Sequence, residues 1–69
     1  MKDIQELLDR LPSKVKENIS GMTKDFFDTT TDSGKREIRH QMQGYVNALE
    51  DAGLIASDER ASLYLYMIF

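Results

Sequence analysis

Residues 35–59 read KREIRHQMQGYVNALEDAGLIASDE, and the placing of their apolar side chains decides the fold. Ile38, Met42, Tyr45 and Leu49 recur at three- and four-residue spacing, flanked by Val46 and Ala52. That is the stripe one face of an α-helix turns towards a core. The pattern stops at Ala52-Gly53-Leu54, where glycine suits the left-handed position just past a helix end and the leucine can fold back onto the last turn. Ser57-Asp58-Glu59 then opens a further helix, with a hydroxyl to cap it and two carboxylates near the positive end of its dipole. The link is short, so these two helices are expected to form a tight hairpin.

Towards the N-terminus, Thr29-Thr30-Thr31-Asp32-Ser33-Gly34 breaks the helical pattern. Three β-branched residues disfavour helix, and Asp32, Ser33 or Gly34 can cap the third helix. Before the break, Val15, Ile19, Met22 and Phe26 form one stripe, weakened by Gly21. Earlier still, Ile4, Leu7, Leu8 and Leu11 form another, with Lys2, Asp3, Gln5, Glu6 and Asp9 elsewhere on the turn. Pro12 cannot continue that first helix; either Ser13 caps the second or Pro12 occupies its first turn.

Beyond the quoted stretch, eight of the nine residues from Ala61 to Phe69 are apolar. On a helical wheel Ala61, Tyr64, Leu65 and Ile68 share one face, and Leu63, Tyr66 and Met67 lie on the other. A strand is the competing form, since Leu-Tyr-Leu-Tyr-Met-Ile-Phe has high β propensity. Nothing else in the chain alternates well enough to pair with it. The expected architecture is therefore all-α, a small bundle of three to four short helices with a C-terminal helical hairpin, over residues 1–69 as one domain.

The chain has 69 residues and no cysteine or tryptophan. No disulfide or cysteine-based zinc site can staple it, and a chain this short buries only about 60% of the surface its unfolded form exposes. Nine basic and twelve acidic residues give a net charge of −3, which argues against wholesale coating of nucleic acid. The N-terminal residues lack the apolar core of a signal peptide, and the seven-residue apolar run Leu63–Phe69 falls far short of the roughly 20 residues a membrane-crossing helix needs. A soluble, cytoplasmic protein is the expectation. Asn18-Ile19-Ser20 matches a glycosylation acceptor but is read as chance without a secretion signal.

The chemistry on offer is thin. The single histidine, His40, lies on the polar side of the third helix and reads as a solvated surface residue. No His-x-x-x-His or Glu-x-x-His spacing and no Gly-x-Ser-x-Gly turn is present. Glu50-Asp51 and Asp58-Glu59 bracket the Gly53 turn, yet acid–base catalysis needs a desolvated carboxylate, and these are expected in polar surroundings. The glycines are isolated and cradle no phosphate. The expectation is a non-enzymatic chain with no cofactor, no metal, no small-molecule substrate and no membrane partner.

Two constellations suggest partners. Gly44 lies about 140° from the apolar stripe of its helix, where core packing gives no reason for a glycine. Phe27 falls off the stripe led by Val15 and Phe26. With Leu63, Tyr66, Met67 and Phe69 they form the predicted partner-binding set, apolar surface that one small chain cannot cover. The partner would be a second copy in a homodimer, or a larger protein that the chain inhibits or assists. In size, acidity and absence of a site the chain looks like the small cytoplasmic proteins of bacteria, phages and mobile elements, some of which inhibit larger proteins by binding them. The alternative is a helical nucleic-acid-binding regulator. There Lys35, Arg36, Arg39 and His40 would contact phosphates or an acidic partner from the first turns of the third helix. Glu37 interrupts that patch, and the acidic balance of the chain opposes it.

Overall fold

The computed structural model describes residues 4–69. Met1 lies outside the described residues, as do Lys2 and Asp3, which the sequence reading places off the stripe of the first helix. Four helices run in order: α1 over Ile4–Arg10, α2 over Ser13–Asp28, α3 over Asp32–Asp51 and α4 over Ser57–Ile68. Among the described residues there is no strand, so the all-α bundle with a C-terminal hairpin is the fold, and 63–69 is helix up to Ile68.

The stripes of the first three helices face inward as their spacing requires. Leu7 and Leu11 are buried from the first, Ile19 and Phe26 from the second, and Met42, Val46 and Leu49 from the third. Ile4, Leu8, Val15, Met22, Ile38 and Tyr45 pack around them, half-buried. The helix α3 is the spine, and its largest contact is with α4.

The helix starts differ from the sequence reading. Pro12 takes the N-cap position of α2 with Ser13 as the first helical residue, and no side chain caps the end. Thr31, not Asp32, Ser33 or Gly34, caps α3, its hydroxyl accepting from the Gly34 backbone N–H at 3.1 Å. Gly34 is needed for this turn, because a Cβ there would lie 2.7 Å from both Thr29 Cγ2 and Thr31 Oγ1. At α4 the N-cap is Ala56, which has no hydroxyl. Glu59 reaches back instead and accepts from the Ala56 N–H at 2.8 Å, half of a capping box.

The α3–α4 link shows the expected glycine termination. Gly53 has φ of 78°, and the backbone bonds Gly53 N–H to Glu50 O at 2.9 Å and Leu54 N–H to Leu49 O at 3.0 Å complete a Schellman motif. The hydrophobic lock is the next residue along: Leu54 remains 40% exposed, and Ile55 is buried.

The faces of α4 are the main correction. Leu63 and Met67, placed by the sequence on the uncovered side, are 0% exposed and form the centre of the core, whereas Leu65 is 51% exposed. The buried positions Ile55, Glu59, Leu63 and Met67 are spaced by four. A carboxylate therefore sits inside the core stripe, and that interruption hides the stripe's phase in an otherwise apolar segment.

Candidate interaction surface

The helix α4 is gripped differently on its two sides. Towards α3, Arg60 lies 2.7 Å by its Nε from Glu50 Oε1 and donates through Nη1 to Asn47 Oδ1 at 2.9 Å. The Ser57 hydroxyl donates to Glu50 Oε2 at 2.7 Å. Glu50 thus gains a role at the end of α3 that its place by the negative dipole end did not suggest. A recess of about 190 Å³ beside Arg60 and Tyr64 is what remains open there.

On the other side α1 leans on α4 rather than on α2, its neighbour in sequence. One clip holds its end: Arg10 Nη2 donates to Glu59 Oε2 at 2.6 Å, with the Glu59 side chain 4% exposed. The expectation of polar surroundings for Glu59 is thereby overturned. Its contacts with Arg10 and the Ala56 N–H serve an ion pair and a helix cap, which is what a buried carboxylate requires. Between α1 and α2 lies a groove of about 430 Å³ with Leu8, Ile19 and Tyr66 among its apolar lining. Asp9 lines the α1 wall, and Lys16, Ser20, Thr23 and Lys24 line the α2 wall. Thr23 Oγ1 is buried without a hydrogen-bond partner.

The groove opens beside an apolar patch. Tyr66 is 45% exposed, and Phe69, one turn further along, is 88% exposed. Of the predicted partner-binding set, then, the structure brings Tyr66 and Phe69 together with Leu65, which the wheel puts on the other face. It withdraws Leu63 and Met67 into the core. Phe27 is 54% exposed but has an intramolecular role, standing edge-on to Phe26 with ring centroids 5.5 Å apart. Gly44 sits on the solvent side of α3, outside the groove, with nothing within 4 Å of where a Cβ would stand.

The basic set is divided. Lys35 donates from Nζ to the Phe26 carbonyl at 2.7 Å and lies 4.3 Å from the Phe26 ring centroid. It closes the last turn of α2 and stacks on an aromatic face, so one of the four residues expected to contact phosphate or an acidic partner is engaged within the fold. Arg36 and Arg39 have no ion pair among the described residues, and His40 is exposed. Among the described residues no three metal-ligating side chains gather, and no helix is long and apolar enough to cross a membrane. Comparison with protein families, curated proteins and solved structures finds no match for this chain.

Proposed function

We propose that this chain is a non-enzymatic protein–protein interaction module that works through the outward side of α4 and the groove beside it. The supporting observation is the exposure of Leu65, Tyr66 and Phe69 on one stretch of helix next to an apolar-floored groove of about 430 Å³. Large apolar side chains grouped beside a groove are the anchors that interfaces use. The stretch carries little charge: after Glu59 the only ionisable side chains in the chain are Arg60 and two tyrosines, and Arg60 is tied to Glu50. Contact with the helix stretch itself desolvates few ions.

The test is a quantitative binding comparison. Full-length chain and its Leu65→Glu and Tyr66→Glu variants are titrated against copies of themselves and against any protein co-purified with the wild type. Loss of binding by at least about tenfold, some 1.4 kcal/mol, with unchanged circular dichroism, supports the surface. Unaltered binding in both variants removes it.

A second reading keeps the unpaired Arg36 and Arg39 as phosphate contacts. Salt-sensitive binding of a short duplex by anisotropy, lost in the double alanine variant, would support it.

A further inference from the structure

Resting on the interaction surface above, we infer that its occupant is a second copy of this chain. The two copies would be related by a two-fold axis along the groove, with Lys16 of each paired to Asp9 of the other.

The groove walls carry opposite charges that the single chain leaves unmatched. Lys16, half-buried on the α2 wall, has no carboxylate within ion-pair distance among the described residues. Asp9, exposed on the α1 wall, accepts a hydrogen bond from Gln5 Nε2 at 3.0 Å and has no cation within ion-pair distance among the described residues. The other lysine of the α2 wall, Lys24, is bound to Asp28 at 3.2 Å.

In an isologous pair, residue i of one copy meets residue j of the other and j meets i. A two-fold axis parallel to the groove sets the α2 wall of one copy over the α1 wall of its mate. Each unpaired lysine then faces an unpaired aspartate, and the match occurs twice. The same rotation keeps position along the groove, so the two Tyr66 side chains that line it come to the same level in the two copies.

Leu65, Tyr66 and Phe69 are 51%, 45% and 88% exposed, so covering them and the groove mouths in both copies buries roughly 1,000 Å², the size of a weak, concentration-dependent dimer. The groove face is close to neutral, so two chains of net charge −3 approach along a side that does not repel.

The test uses sedimentation velocity and light scattering on the full chain up to about 1 mM. The expected result is a dimer. Asp9→Lys alone and Lys16→Asp alone each raise the dimer Kd by at least tenfold, because each sets like charges against one another at both contacts. Mixing those two variants gives a heterodimer tighter than either homodimer, since every contact is then again between opposite charges. Lys16→Asp combined with Asp9→Lys in one chain also restores dimerisation. Unfolding curves establish that each variant is folded.

A wild type that stays monomeric throughout overturns the proposal, as does a dimer indifferent to both charge changes. A monomer that still loses another partner on Tyr66→Glu overturns only the second copy as occupant. Binding that survives change at both Leu65 and Tyr66 overturns the surface itself.

Discussion

The two sides of α4 show how one helix can be both locked and open. Its α3 side is joined by a short link with a glycine in the left-handed conformation, and three polar contacts through Glu50, Ser57 and Arg60 seal it. Its α1 and α2 side is joined to the rest through the Pro12 corner. There α1 settles on α4, held by Leu7, Leu11 and the Arg10–Glu59 ion pair, and leaves a groove between itself and α2. The Schellman turn aims the chain straight back along α3, whereas Pro12, with ψ of 150°, turns α1 away from α2. Connection chemistry, more than the hydrophobic content of the helices, decides which side stays free.

The largest expected effect comes from the inner stripe. Leu63→Ala should cost about 3 kcal/mol by leaving a cavity in the core, and Leu65→Ala, two residues away on the open side, less than about 1 kcal/mol. Urea unfolding of the two variants checks it, and equal costs would erase the distinction between the two sides. Next is the clip on the open side. Arg10→Ala should cost about 1–2 kcal/mol, reduced from a fully buried pair because the arginine is 55% exposed. Hydrogen exchange should rise across α1 first and leave α3 unchanged.

Two smaller changes should stabilise. Thr23→Val replaces a buried, unpartnered hydroxyl on the groove wall with a methyl of similar shape, and a gain of about 1 kcal/mol is expected in thermal unfolding. Gly44→Ala, with open space around the new Cβ, should add roughly 0.8 kcal/mol from helix propensity alone. A loss at Gly44 would show that the solvent side of α3 needs a close approach there. It would relocate the interaction surface.

Much of the fold is legible because three of the four helices carry single stripes. Spacing alone assigns Met42 and Leu49 of α3, Ile19 and Phe26 of α2, Leu7 of α1 and Leu11 just beyond it to the core. The candidate surface is half legible: Tyr66 and Phe69 stand out as apolar excess, while Leu63 and Met67 trade places with Leu65. The caps at Thr31 and Ala56 escape the sequence reading for a related reason. Several adjacent hydroxyls and carboxylates can start a helix, and only the path of the chain selects among them.

The number and kind of elements, the hairpin at Gly53 and the excess of apolar surface over what a short chain readily hides are written in the sequence alone. They come from local rules: periodicity, proline and glycine stereochemistry, and propensity. Which face of α4 turns inward was settled only by tertiary packing, because a helix apolar all round has no phase of its own. That phase carries a carboxylate, Glu59, into the core stripe, where a guanidinium 49 residues away in the chain pairs with it. A pairing across that distance has no local signature. The same packing buries Leu63 and Met67 and leaves Leu65, Tyr66 and Phe69 exposed.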